Sequence, residues 1–319
     1  MKKRLTYLVV AALSVSMLAG CGSESSGGKK GSKVDVEMTE VLENAAEAVT
    51  DIESVEIGIK GEADITGSAQ GTNMVIKGSA DLTGKAQVED PAIEASGKVS
   101  YKISGGGQDM SGDYKAEVYG ETEDDEMSVY VKLNDEDWRT DTVDVSDFDD
   151  AISQIEDALE QVKSGLGSIS SDDLKEVEDF VKLESKTSFV NKKECYVLSA
   201  KLDKNKLLKL YEESGEMFED MDSYMEVIEA LDSLNVTYAL YFAKSDYMPV
   251  KFEFSMTGKG SVEGIDVNIK KLNLEVNLGV NDVKISPVPD SVKESAVETD
   301  LGLGGSSYDW DDDDYDWED

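Results

Sequence analysis

The sequence predicts an α+β fold: one curved antiparallel sheet of roughly nine to eleven strands with helices on its concave face. Three observations carry this. Long runs alternate apolar and polar residues with a period of two, the mark of an antiparallel sheet with one buried and one wet face. One such run is repeated: IKGEADITGSAQ at 59–70 and IKGSADLTGKAQ at 76–87 share nine of twelve positions at an offset of 17, a unit that suits a strand and its return in a meander. Several other stretches switch to helical spacing.

The first 20 residues read as a signal peptide. Lys2, Lys3 and Arg4 form a positive region, and Leu5 to Leu18 is a mainly apolar stretch of 14 residues, shorter than a membrane span needs. The stretch ends in Leu18-Ala19-Gly20-Cys21, which resembles the lipobox of bacterial lipoproteins and marks Cys21 as the lipidation site. A diacylglyceryl group on Cys21 holds the mature chain on the cell membrane, facing the extracytoplasmic side, because two acyl chains anchor where one barely does. Cleavage there leaves 28 basic against 69 acidic residues, a formal charge of −41. Residues 21–35 then form a flexible Gly/Ser-rich tether. Its Lys29, Lys30 and Lys33 either touch anionic headgroups or serve a solubilising linker.

Residues 36–290 are expected to form a single domain. Glu37 to Val49 reads as a helix, with Val41, Leu42, Ala45 and Val49 on one stripe. The meander follows. Ile57, Ile59, Gly61, Ala63 and Ile65 share one face, as do Met74, Ile76, Gly78, Ala80 and Leu82, then Ile93, Ala95, Gly97, Val99, Tyr101 and Ile103. Tyr114, Ala116 and Val118, then Met127, Val129, Val131 and Leu133, continue the pattern. The pairs Gly61/Ala63, Gly78/Ala80 and Ala95/Gly97 remove volume from the inward face, so either the sheet bends over a filled core or an apolar ligand occupies the space.

Two helices are expected next, one opening at Ser146 with Phe148, Ile152, Ile155, Leu159 and Val162 as its stripe, the other opening at Ser170 or Ser171 with Leu174, Val177 and Val181. A strand pair over 182–190 and 193–200 turns at Asn191-Lys192. Helical spacing returns from Asp203 and again from Glu216 to Ser233, where Met217, Met221, Met225 and Ile228 form a stripe that suits either ordinary core or an adaptable apolar surface. The strands around Val236–Phe242, Val250–Met256 and Ile265–Leu278 close the domain, with a phase slip at Lys270-Lys271 that predicts a bulge or a break. Residues 291–319 are read as a disordered tail. From Ser306 onward, eight of fourteen residues are acidic and four are aromatic, so no core can form there.

Composition excludes much chemistry. There is no His, which removes His-based acid–base catalysis and most zinc and haem sites. A formal charge of −38 argues against a nucleic-acid partner. Cys195, in the strand-like Glu194-Cys195-Tyr196-Val197-Leu198, has no His to activate it and reads as a buried structural thiol. Gly78 to Lys85 fails as a phosphate loop because Ala86 stands where Ser or Thr must follow the Lys. Asp309, Asp311 and Asp313 fail as a calcium loop because Asp314 replaces the turn Gly. No catalytic residue, metal site or cofactor is expected, and the chain is not read as an enzyme.

The order of elements, with Tyr130 before Trp138-Arg139 and the hairpin Tyr247-Met248-Pro249-Val250-Lys251, resembles LolA/LppX-like cell-envelope lipoproteins over about residues 36–288, and more closely uncharacterised clostridial-type lipoproteins of that fold. The resemblance implies a strongly curved, incomplete β-barrel with helices on its concave side, where better-known relatives hold acyl chains. The function expected is therefore a binding module or carrier for an apolar, lipid-like ligand. The ligand-lining candidates are Gly61, Ala63, Gly78, Ala80, Ala95, Gly97, Met217, Met221, Met225 and Ile228. The alternative is a structural or interaction lipoprotein of the cell surface with no small-molecule ligand. Replacing Cys21 by Ala is expected to shift the protein from the membrane to the soluble fraction, read by cell fractionation.

Overall fold

The computed structural model describes residues 31–49, 53–87, 91–124, 126–148, 180–214, 222–262, 264–281 and 283–301. The signal segment, Cys21, the first part of the tether, the two helices expected over 146–181 for all but their ends, Met217, Met221 and the acidic tail lie outside these residues.

Among the described residues thirteen strands form one open sheet. Nine are long: β1 (Ser54–Ala69), β2 (Thr72–Gln87), β3 (Ala92–Gly105), β4 (Gln108–Glu123), β5 (Glu126–Leu133), β9 (Lys193–Asp203), β10 (Leu231–Ala243), β11 (Pro249–Val262) and β12 (Ile265–Val280). Four are short: β6 (Arg139–Asp144), β7 (Val181–Leu183), β8 (Ser188–Val190) and β13 (Val297–Glu298). The sheet order is β13-β6-β5-β4-β3-β2-β1-β12-β11-β10-β9-β7, with β8 also on β9. The expectation of nine to eleven strands falls short at the sheet margins, because segments of two to six residues carry too few alternations to show a period.

Tight turns set the register. β1 and β2 are joined by Gln70-Gly71, β3 and β4 by Gly106-Gly107, and β8 and β9 by Asn191-Lys192, all with positive φ. Such two-residue turns match the twist of the strands they connect. The slip at Lys270-Lys271 is a bulge within a continuous strand. Asp64 pairs with Lys271 and Ile65 with Ile269, which leaves Lys270 extra.

Register also sorts the faces. Ile59 lies opposite Leu82 on one side and Val276 on the other. From Val276 the row runs on through Phe252, Leu240 and Leu198. Helix α1 (Met38–Ala48) packs on this apolar face. Its Val41, Leu42, Ala45 and Ala46 are buried in one cluster with Tyr196, Leu198, Phe242, Phe252 and Val276. Phe180 joins the same cluster, and Leu207 and Leu210 of α2 (Lys204–Ser214) pack against it. Helix α3 spans Asp222–Ala230, and the helix expected to reach Ser233 ends there. Leu231 starts β10 because it is buried and pairs with Gly260, where a Cβ would meet the Leu231 Cα at 2.4 Å.

The boundary expected at residue 290 also moves. Helix α4 (Asp290–Ser295) and β13 extend the fold, with Val288 and Val292 buried against Tyr130 and packed with Trp138. β12 has already stopped at Val280, Pro289 caps α4, and Val297 then pairs in parallel with Arg139. Among the described residues no helix is long and apolar enough to cross a membrane.

Leu42 is 1% exposed at the centre of the helix–sheet contact. Truncating it to Ala is expected to cost about 2–5 kcal/mol through lost burial and the cavity left behind, measured by urea denaturation.

Candidate functional site: two cavities on opposite faces

The same cross-strand rows change character at β1. Toward β9 they carry large side chains under α1. Toward β5 small residues are interspersed among the large ones: Gly61–Ala80–Val99–Tyr114, Ala63–Gly78–Tyr101–Gly112 and Ile59–Leu82–Gly97–Ala116–Leu133. Of the nine exposed large hydrophobic residues among the described ones, six, Met74, Val99, Ile103, Met110, Tyr114 and Leu133, lie on this one face of β2–β5. A contiguous apolar patch of this kind marks an interaction surface, whereas scattered exposed residues do not.

A hollow of about 540 Å³ opens on this face, lined by Leu82, Gly84, Ala95, Gly97, Val99, Tyr114, Ala116, Val118 and Leu133, with Lys115, Asn134 and Glu136 at its polar margin. Gly97 makes room for it: a Cβ there would meet Leu82 Cδ2 at 2.4 Å. Tyr114 stacks on Tyr101 with ring centroids 6.1 Å apart. The apolar lining and the volume fall within the range of small-ligand sites.

A larger groove of about 1260 Å³ lies on the other face. Residues of β1–β3 and β9–β12 line it, together with the segment 184–188. Its floor is a ladder of opposite charges. Lys60 stands 3.9 Å from Asp81, and Lys251, behind the lining, bridges the lining residues Glu253 at 2.8 Å and Glu275 at 3.0 Å. Asn277 donates to Glu275 at 3.1 Å, and the Tyr241 hydroxyl donates to Glu253 at 2.5 Å. Burial pulls the Lys251 ammonium down, but its two carboxylate partners outweigh this and raise its pKa. Burial and the Glu253 carboxylate push the Tyr241 phenol well up. The charges of this floor neutralise one another.

At the groove's rim Glu194 accepts from Ser32 Oγ at 2.5 Å, from Thr187 Oγ1 at 2.6 Å and from the Ser32 backbone N–H at 3.2 Å. These bonds, with the Lys244 ammonium nearby, hold its carboxyl at about 2.

The candidate residues do not converge on one site. Ala95 and Gly97 line the hollow, whereas Gly61 and Ala80 border the polar groove, and Ala63 and Gly78 line neither of these two cavities. Met225 is buried and Ile228 half-buried on α3, whose contacts are with β10, β11 and α2, so these two do not join the small pairs, while Met217 and Met221 lie outside the described residues. The helical spacing of Met225 is that of core. The polar groove was not legible as a cavity, because alternating charges along one strand look like an ordinary wetted face and only pairing across strands assembles them. Cys195 is fully buried, and burial pushes its thiol up to about 11, so it is no ready nucleophile. Among the described residues no group of three or more acidic, Cys or His side chains is placed to hold a metal.

Among the described residues these features define a one-sheet protein with an apolar hollow on one face and a groove lined by charges of both signs on the other. Residues 37–297 match the family of unknown function DUF6612, and the chain belongs to that family. No curated protein sequence matches the chain. Among solved structures, it is similar to LprF from Mycobacterium bovis at 10% identity and a TM-score of 0.32, over 81% of this chain and 99% of that one. The translocator domain of the autotransporter NalP from Neisseria meningitidis matches at 8% identity and a TM-score of 0.20, over 75% and 94%. A beta-barrel-like protein of DUF1849 from Brucella abortus matches at 11% identity and a TM-score of 0.15, over 73% and 100%.

The Glu194 carboxyl, folded near 2 against an ordinary 4.5, contributes stability that is complete above about pH 4.5 and is lost as the pH falls toward 2. Wild-type protein is therefore expected to lose more of its Tm across that window than Glu194→Gln, read by thermal melts at stepped pH.

Proposed function

We propose that this protein is a membrane-anchored exported lipoprotein that binds an apolar, lipid-like ligand on the β2–β5 face. The observation that carries the reading is the 540 Å³ hollow among exposed apolar residues, on the half of the sheet that the α1 core leaves uncovered. Each CH₂ of an acyl chain removed from water there contributes about 0.8 kcal/mol, so a chain of ordinary length binds without any charged anchor point. Gly97 and Ala116 form the floor, Leu82 and Val118 the walls, and Tyr114 and Leu133 the rim. The lipobox-like Leu18-Ala19-Gly20-Cys21 and the likeness to LolA/LppX-like and clostridial-type lipoproteins support the cell-envelope setting. The reading needs no catalytic group and no cofactor.

The test is direct. Protein extracted from its own membranes and examined by native mass spectrometry is expected to carry an apolar molecule, and the stripped protein to bind a fluorescent acyl-chain probe. Ala116→Trp, which fills the hollow, is expected to weaken that probe by at least about tenfold with the Tm nearly unchanged. A wild-type protein that binds the probe no better than the variant would favour the interaction-protein alternative.

A further inference from the structure

We infer that the stacked pair Tyr101–Tyr114 is a stop that sets the length of the acyl chain the hollow accepts. This deepens, and rests on, the reading of the hollow as a lipid-like site.

The hollow has an axis. Its inward lining residues are Tyr114, Ala116 and Val118 on β4 and Val99, Gly97 and Ala95 on β3, so it runs along the strands. The step from Tyr114 to Val118 covers about 14 Å at a strand rise of about 3.4 Å per residue.

A glycine stands on β4 beyond each end, and side chains fold over both. At one end a Cβ on Gly120 would meet Met127 Cε at 2.5 Å and Ile93 Cγ1 at 2.6 Å. Met127 is buried there with Val129 and Val143, and Ile93 packs against them, so core closes this end. At the other end a Cβ on Gly112 would meet Tyr101 Cε1 and Tyr114 Cε2, each at 2.8 Å. Both rings therefore lie over Gly112, with their planes 10° apart. Stacking holds each ring against the other, an arrangement favoured beyond the area it buries.

The sheet register shows what lies past the rings. Ile65, Ile76, Ile103 and Met110 are direct cross-strand partners on β1, β2, β3 and β4, one continuous aliphatic row. Ile103 and Met110 are exposed. The face is thus apolar on both sides of the tyrosine pair. Ring bulk, not a change of polarity, ends the hollow here. An extended acyl chain advances about 1.3 Å per carbon, given carbon–carbon bonds of about 1.5 Å, so the hollow holds roughly ten to twelve carbons. Methylenes beyond that length meet the rings, stay in water and add nothing to binding.

The experiment titrates the protein with dansyl-amide acyl chains of about 8 to 18 carbons, below their self-association, and plots affinity against chain length. Wild-type affinity is expected to rise at least about twofold per carbon and to level off at roughly ten to twelve carbons. With Tyr101→Ala and Tyr114→Ala together, the rise is expected to continue to at least about sixteen carbons, because the row at Ile103 and Met110 comes within reach. Adding Met110→Asp to that pair should shorten the range again. Tyr101→Phe with Tyr114→Phe keeps both rings and is expected to keep the wild-type break. Tyr101→Ala alone, outside the lining of the hollow, should move the break in the same direction as the double change, which guards against a folding defect in the latter. A break at one length in the wild type and in the Ala variants overturns the inference and leaves the hollow as an acyl site. So does a Phe variant shifted as far as the Ala one. A wild type that binds no chain of any length overturns the reading of the hollow and this inference with it.

Discussion

The pairing of β1 with both β12 and β2 is the constraint on which the rest of the structure depends. Val55 to Ser68 is matched to Asp266–Val280 on one side, and Ser54 to Ala69 to Thr72–Gln87 on the other. This joins the first strand of the domain to a strand more than 200 residues later. It also fixes phase. Because side chains alternate faces with period two, a one-residue slip of β1 would turn Ile57, Ile59 and Ile65 to the wet face and Lys60, Glu62 and Asp64 to the apolar one. The bulge at Lys270 lets the pairing continue past Asp64 with the apolar phase intact, since Ile65 then meets Ile269 and Gly67 meets Val267.

The division of the apolar face into a filled and an open half follows from residue size along shared rows. Opposite Gly61, the row runs through Leu274, Phe254 and Tyr238 on one side and through Ala80 and Val99 on the other. The large side chains meet α1 and its neighbours and exclude water, and burial pushes the Tyr238 phenol up to about 12. The small ones leave a surface that α1 does not reach. A sequence with large residues in both halves would have built one thicker core. Gly84, Ala95, Gly97 and Ala116, set among Leu82, Val99, Tyr114 and Leu133 on adjacent strands, leave the room that forms the hollow.

How much of this the sequence made legible depends on the range of the interaction involved. The faces of the nine long strands, helix α1 and the bulge follow from periodicity, which is local. Ala95 and Gly97 were legible as part of a thinned inward face, and their neighbours Tyr114, Ala116 and Val118 as inward. The grouping of Met225 with the small pairs was not sound, because helical spacing tells which side of α3 is apolar and says nothing of which strands it meets. The short strands β7, β8 and β13 are held by partners rather than by their own pattern.

Electrostatics gives the two faces different demands on a ligand. The groove floor pairs its charges internally: Lys251 is shared between two carboxylates, and Glu275 also receives Asn277, which keeps its carboxyl below the usual range despite burial. A polar ligand entering there has to displace bonds already made at 2.8–3.1 Å, so the gain from its own bonds is largely cancelled. The hollow offers no such competition. Its apolar lining loses water to any apolar occupant, and the hydrogen bonds of Lys115, Asn134 and Glu136 lie at its margin. For equal contact area an apolar molecule therefore gains more in the smaller, apolar cavity, although the polar groove has more than twice its volume.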